Sequence, residues 1–240
     1  MTAIYDFPRD WYHFVTLSFP LRAASQVSPR PWAGGNTIYG PHAQLFMPKL
    51  TATEIADSSW RAVGAFFARL GGQAGLMRIS DPSRLQPRYN MELIAAATGF
   101  SDGALFSDGA GFADGLLPPT VYAAADRAAG STDVVLGGFP ASTLAVLQRG
   151  DLLEIRPNGI PADFPHLYQV MVDGDADSSG MTGVEIRPRL RRGIASGDMV
   201  VLAYPSSVFH LVDDTQGDIE ITVPVVANFG FALVEAIERV

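Results

Sequence analysis

The 240-residue sequence contains no cysteine. That excludes a disulfide framework and any thiolate-bound metal, and it fits assembly in a reducing cytoplasm. Charge is sparse and leans one way, with 17 Lys and Arg against 25 Asp and Glu, a net of -8. A general nucleic-acid binder would show a basic face instead. An acidic wall would rather repel phosphate from a surface that DNA slides past. No window approaches the roughly 18 apolar residues of a membrane span. The start, Met1-Thr-Ala-Ile-Tyr-Asp-Phe-Pro-Arg-Asp10, lacks the basic opening and apolar run of a signal peptide. The expectation is a soluble chain, not exported by that route.

Histidine is scarce too. His13, His42, His166 and His210 lie far apart, and none has the H-E-x-x-H spacing of a metal site. There is no G-x-S-x-G elbow, no G-x-x-x-x-G-K-[ST] and no dinucleotide glycine fingerprint after a strand. His13 and His210 sit in strand patterns and are expected to be packed or hydrogen-bonded there. The reading is therefore no catalytic, cofactor-binding or metal residue and no cofactor. It points to binding or assembly and away from an enzyme.

What the chain has is apolar content, 48%, enough to bury a sizeable core in one large β domain or two small ones. Its 24 glycines and 17 prolines suit many turns between short strands. Helical periodicity is strong in one place. Trp60, Val63, Phe67 and Leu70 recur at helical spacing, and Gly71-Gly72 offers a left-handed stop. Thr51-Ala-Thr-Glu54 has the form of a capping box, which draws the expected helix back to 54–71. Leu76-Met-Arg-Ile79 reads as a strand closed by Asp81-Pro82.

Strand patterns fill most of the remainder. Trp11 to Phe19 alternates, whereas residues 22–36 read as a long loop around Ser28-Pro-Arg-Pro-Trp-Ala-Gly-Gly-Asn36. Thr37 to Tyr39 and Ala43 to Met47 read as edge strands. Residues 89–100 fit neither strand nor helix clearly. From about 119 the chain changes character. Val134 to Leu136, Leu152 to Ile155, Leu167 to Val172, Thr182 to Arg187 and Met199 to Ala203 give about five short strands. That is the expectation for a small antiparallel barrel or sandwich. Gly150-Asp151 and Gly197-Asp198 each precede an apolar run, which suggests equivalent turns entering two strands. Phe209 to Asp213, Asp218 to Val223 and Phe229 to Ile237 complete the set.

Two acidic clusters invite a calcium reading. Asp102, Asp108 and Asp114 recur every six residues, each followed by glycine. Asp173, Asp175 and Asp177 alternate over Asp-Gly-Asp-Ala-Asp. Neither has the EF-hand ladder, and Glu185 comes one residue late for the second. A run of turns and a solvated hairpin are the favoured readings. Trp32 is either an anchor for a partner or sugar, or a side chain folded over an apolar patch; the usual burial of tryptophan favours the second. Arg187, Arg189, Arg191 and Arg192 form the basic cluster, which suits either an acidic partner surface or a solvated rim.

The order of these stretches resembles the distal tail protein of long-tailed bacteriophages and gene transfer agents. The resemblance rests on Trp60 to Leu70 with Gly71-Gly72, Gly75-Leu-Met-Arg-Ile-Ser-Asp-Pro82, the Phe-Ser-Asp-Gly repeat and Gly150-Asp-Leu-Leu-Glu-Ile155. His166-Leu-Tyr-Gln-Val170, Gly183-Val-Glu-Ile-Arg-Pro-Arg-Leu190 and Phe209-His-Leu211 extend it to about three quarters of the chain. The fold it implies is mainly β with one principal α-helix. A discontinuous β-sandwich belt domain, 1–107 with 206–240, would form a ring, and a small β-barrel domain, 108–205, would be inserted in it. The implied role is structural: a virion protein at the distal end of the tail, in a homo-oligomeric ring that is normally a hexamer. Its partners would be the tail tube protein and baseplate hub or tail fibre proteins, around a channel that DNA traverses without specific binding and with no membrane contact. No fibre-binding residue carries over, because those surfaces share no motif. The alternative is a carbohydrate-binding β module for host-surface attachment, with Trp32 or Tyr39 as its stacking platform.

Overall fold

The computed structural model describes residues 3–8, 14–23, 26–27, 38–39, 44–55, 59–88, 121–156, 165–215, 219–222 and 226–237. The protein is mainly β with one principal α-helix, and it includes a closed six-stranded barrel beside larger sheets. The chain divides into two compact units, Met1–Ile79 with Val208–Val240, and Ser80–Ser207. The expected boundary at 107/108 lies outside the described residues.

In the first unit, β1 (Ile4–Asp6), β8 (Leu76–Ser80), β15 (Ser206–Leu211), β17 (Val226–Glu235), β7 (Lys49–Ile55) and β2 (Thr16–Ser18) follow one another in a sheet. β16 (Ile219–Thr222) also pairs with β17. β1 runs parallel to β8, whereas β17 is antiparallel to both β15 and β7. Two small ladders accompany the sheet: β3 (Leu21–Ala23) with β6 (Gln44–Phe46), and β4 (Gln26–Val27) with β5 (Ile38–Tyr39). Residues 22–36, expected to be a loop, thus supply strand residues. Ser, Pro and Gly mark turns, but the backbone groups of Gln44–Phe46 and Ile38–Tyr39 take partners from this stretch.

The helix α1 is Ser59–Leu70. Val63, Phe67 and Leu70 are buried on one face while Arg61, Ala65 and Ala68 are exposed, as the spacing predicts. The Trp60 side chain lies outside the described residues. Gly71 takes the left-handed backbone at φ 73°, and its N–H donates to the Phe67 carbonyl. The start of the helix differs from expectation. Thr51 to Glu54 is not a capping box; it lies inside β7. There Leu50 and Ala52 are buried and alternate with Lys49 and Thr51, so period-2 burial in a ladder outweighs the local cap pattern.

Aromatic rings fill this unit's core. Phe7, Phe14, Phe66, Phe67, Phe229 and Phe231 contact one another at ring separations of 5.3 to 6.5 Å. They come from the N-terminal segment, the buried helix face and β17, which stitches the two ends of the chain together. The Glu235 carboxylate, buried, accepts the Phe46 N–H at 3.0 Å.

The second unit is the barrel. Its strands are β9 (Val121–Ala123), β10 (Asp133–Gly137), β11 (Leu152–Arg156), β12 (His166–Val170), β13 (Thr182–Arg187) and β14 (Met199–Val201). They close in the order β10-β13-β12-β11-β14-β9, every pair antiparallel. Closure removes the exposed edges that short strands would otherwise present. Val134, Leu136, Leu153, Ile155, Tyr168, Val170, Val184 and Ile186 are buried in the core cluster, two from each of four strands. The sixth strand, β9, is absent from the strands read in the sequence, because Val121-Tyr-Ala123 runs straight into Ala124-Ala125 with little apolar contrast.

Two turns that enter barrel strands repeat one another closely. In Gln148-Arg-Gly-Asp151 the Asp151 N–H donates to the Gln148 carbonyl at 3.0 Å, and the Gln148 N–H donates back to the Asp151 carboxylate at 2.9 Å. In Ala195-Ser-Gly-Asp198 the same two bonds measure 3.1 and 2.8 Å. Gly150 and Gly197 sit at φ 95° and 94°. Each turn then pairs with a neighbouring strand end, Gly150 and Asp151 with Val170, and Gly197 and Asp198 with Ala123. The equivalence read from the two Gly-Asp pairs is present in the structure. We expect Gly150→Ala and Gly197→Ala each to lose about 1–2 kcal/mol, the left-handed penalty of an L residue. Only Arg88 Nη2, at 3.6 Å, would meet the added Cβ at Gly150, and nothing would at Gly197. Gly183→Ala, with open space and no positive φ, is the control. Equal hydrogen-exchange protection of the barrel amides in all three variants would contradict this account.

Candidate functional site

The chemistry-bearing residues of the barrel gather at its two ends and on the outer face of β11. At one end, residues 171–181 join β12 to β13 and carry Asp173, Asp175 and Asp177. Each carboxylate is committed to a neighbour. Asp173 accepts the Arg149 N–H at 2.7 Å and pairs with its guanidinium at 3.1 Å. That side-chain bond holds the Asp173 carboxyl below the ordinary aspartate range and raises Arg149. Asp175 accepts the Ala145 N–H at 2.7 Å. Asp177 accepts the N–H groups of Ser179 and Met181 at 2.7 and 3.0 Å, and the Met181 bond leads in lowering its pKa. The three carboxylates therefore fix a hairpin turn. Among the described residues no group of three or more His, Cys, Asp or Glu is placed to hold a metal ion. Asp102, Asp108 and Asp114 lie outside the described residues, as do Trp32 and the side chain of Tyr39.

β13 runs away from that hairpin, with Arg187 opposite Gln169, and the chain beyond it carries Arg189, Arg191 and Arg192 toward the opposite end. The structure separates the members of the arginine cluster. Arg187 pairs with Glu185 at 2.8 Å. Arg189 is exposed, whereas Arg191 and Arg192 are half-buried. Arg192 Nη2 lies 2.9 Å from His166 Nε2, and Tyr168 Oη lies 3.4 Å from His166 Nδ1. A guanidinium only donates, so Nε2 must accept, and the imidazole proton resides on Nδ1, facing the tyrosine oxygen. Tyr168 Oη also accepts the Arg191 N–H at 3.2 Å. Burial first, then Arg192 and Arg191, pushes the His166 pKa down to about 3. The imidazole is thus neutral at pH 7. No reaction is implied, since its nitrogens are both engaged in the wall of the barrel.

On β11, Glu154 is wholly buried although Leu153 and Ile155, its neighbours, are the ones that face the core cluster. Its Oε2 accepts the Ser206 N–H at 2.9 Å and the Ser206 hydroxyl at 3.0 Å. Its Oε1 accepts from Arg156 Nε, two residues on. A second carboxylate, Asp151, is also buried; burial raises its pKa against the N–H bonds from Gln148 and Arg88. Asp81, buried too, accepts from Ser83 N and Oγ at 2.9 and 2.7 Å and from Arg84 Nε at 2.6 Å. Arg84 Nη1 then donates to the Gly150 carbonyl, and Tyr204 N–H donates to Leu85. These bonds strap residues 80–88 to the barrel turn.

None of Glu154, Asp81 and His166 carried a functional signal in the sequence. A charge inside Leu-Leu-Glu-Ile-Arg, followed by an arginine two positions on, is the trace that Glu154 leaves. His210, in β15, lies with Nδ1 3.1 Å from the Leu211 carbonyl and so donates to it, which fits the packed reading. His13 and His42 lie outside the described residues. No described helix is long and apolar enough to cross a membrane. Among the described residues the barrel presents an acidic hairpin at one end and arginines toward the other, and the sheet order of the first unit ends on β1 and β2. Set against protein-family models and against curated proteins, the chain matches none.

Proposed function

We propose that this chain is a structural virion protein that forms a ring, six copies being the expected number, at the distal end of a long-tailed phage tail. There it would join the tail tube to the baseplate hub and fibres around the DNA channel. The reading comes from the resemblance set out above. The observation that supports it most is the division of the chain: a discontinuous sheet unit, containing the helix and both ends of the chain, with a closed barrel inserted in it.

Physical requirements of a ring are compatible with this arrangement. A closed ring needs two different, complementary surfaces on each subunit. Among the described residues the sheet order ends on β1 at one side and on β2 at the other, two unlike edges for neighbours to meet. A net charge of -8 would keep DNA from adhering to a channel wall. Light scattering over a concentration series tests the proposal. Six copies at 25.6 kDa each weigh about 154 kDa, and a closed species near that mass is expected. A strict monomer at the highest concentration would count against a self-forming ring.

A further inference from the structure

The two ends of the barrel differ in charge and in apolar exposure. Asp173, Asp175 and Asp177 are all exposed at one end. Arg189, Arg191 and Arg192 follow β13 toward the other end, where Arg192 meets His166, and Arg187 lies between the two, opposite Gln169. β11 runs antiparallel to β12 and ends with Arg156 opposite Met199, at the arginine end. Asp173 faces Arg149, but Asp175 and Asp177 are held by backbone N–H groups rather than by cations.

Residues 141–149 run along the acidic hairpin. The Ser142 N–H donates to the Asp177 carbonyl, Ala176 N–H to Thr143, and Gly174 N–H to Leu147. Two residues here that are not glycine, Ser142 at φ 55° and Ala145 at φ 50°, adopt the left-handed backbone that L residues avoid. Between them stands Leu144, at 74% the most exposed large apolar side chain among the described residues. Val172 and Met181, 54% and 36% exposed, belong to the same end. The left-handed backbone at these two positions serves the N–H bonds of Ser142 to Asp177 and of Ala145 to Asp175, and Leu144 between them stands in water with no use in an isolated barrel. Contact with a partner would use it.

A surface complementary to this end would be apolar and rimmed with cations. The opposite end of the same barrel has that chemistry: Met199, 41% exposed, with Arg189 exposed and Arg191 and Arg192 half-buried. We propose that the Leu144-tipped acidic end of one barrel seats on the arginine end of the barrel in a second copy, head to tail. Such a contact is heterologous and closes when its rotation permits. It rests on the ring reading and adds a barrel-to-barrel contact to it. Opposite charges fix the order of the copies, since like ends repel.

Charge exchange in the full-length protein tests this, read as self-association by light scattering with thermal melts as the folding control. Leu144→Glu and Arg189→Glu alter exposed side chains, and each is expected to weaken association about tenfold or more. Ser178→Arg, at an exposed position beside Asp177, is expected to weaken it similarly. Ser178→Arg combined with Arg189→Glu restores it in large part, because the exchanged charges meet across copies. Variants that melt like the unmodified protein and assemble like it overturn the barrel contact while leaving the ring standing. A double variant no better than its single parents overturns the head-to-tail pairing. An unmodified protein that stays monomeric throughout overturns the barrel contact and counts against a self-forming ring.

Discussion

Replacing Glu154 with alanine is expected to destabilise the barrel by about 3–5 kcal/mol. The carboxylate has no exposed surface, and it is the acceptor for the Ser206 N–H, the Ser206 hydroxyl and the Arg156 guanidinium. Truncation leaves a backbone N–H and a hydroxyl buried without an acceptor, and each such group costs roughly 1–3 kcal/mol. It also leaves the Arg156 side chain, one-third exposed, without its anion. Glu154→Gln keeps the shape and one acceptor oxygen but turns an amide donor toward Arg156 or Ser206, so an intermediate loss is expected. Two units in one chain make a single unfolding transition an unsafe readout. Native-state hydrogen exchange at the amides of β11 and β12 reports the barrel by itself. A loss under 1 kcal/mol at those amides for Glu154→Ala would show that water replaces the carboxylate and that the network is ornamental.

Glu154 also shows where sequence reading stops. Alternation over Thr182–Arg187 placed β13 to the residue, because its buried side chains, Thr182, Val184 and Ile186, occupy every second position. The helix face from Val63 to Leu70 was legible for the same reason. Both depend on a period that local sequence carries. The partners of Glu154 and His166 do not: Ser206 is 52 residues from the first and Arg192 is 26 from the second. The β12–β13 hairpin brings Arg192 to His166, and the chain leaving β14 brings Ser206 to Glu154. β7 was hidden by a competing local signal, since Thr-x-x-Glu reads as a helix cap wherever it occurs. The turns at Gly150-Asp151 and Gly197-Asp198 lay between these cases. Their composition was visible, and the structure adds that each aspartate closes its own turn and is buried in doing so.

The largest pH effect is expected from His166. Its unfolded pKa is the ordinary 6.5 and its folded value is pushed down to about 3 by burial and by Arg192 and Arg191. Between these values the unfolded chain holds a proton that the folded chain refuses, so stability rises with pH across the window. The contribution is whole above about pH 6.5 and is lost as pH falls toward 3. The full difference is on the order of 5 kcal/mol. His166 is 6% exposed, so solvent screening takes away little of this. His166→Gln retains polar atoms near Arg192 and Tyr168 but cannot titrate. Its stability should fall less than that of the unmodified protein between pH 6.5 and 4, even if it starts lower at pH 7. Carboxylates elsewhere titrate equally in both proteins and cancel in the difference. Parallel stability curves for the two proteins would mean that the folded imidazole takes up its proton as easily as the unfolded one. In that event the Arg192 guanidinium must swing away from Nε2 on acidification, and the barrel end would be a looser structure than the 2.9 Å contact describes.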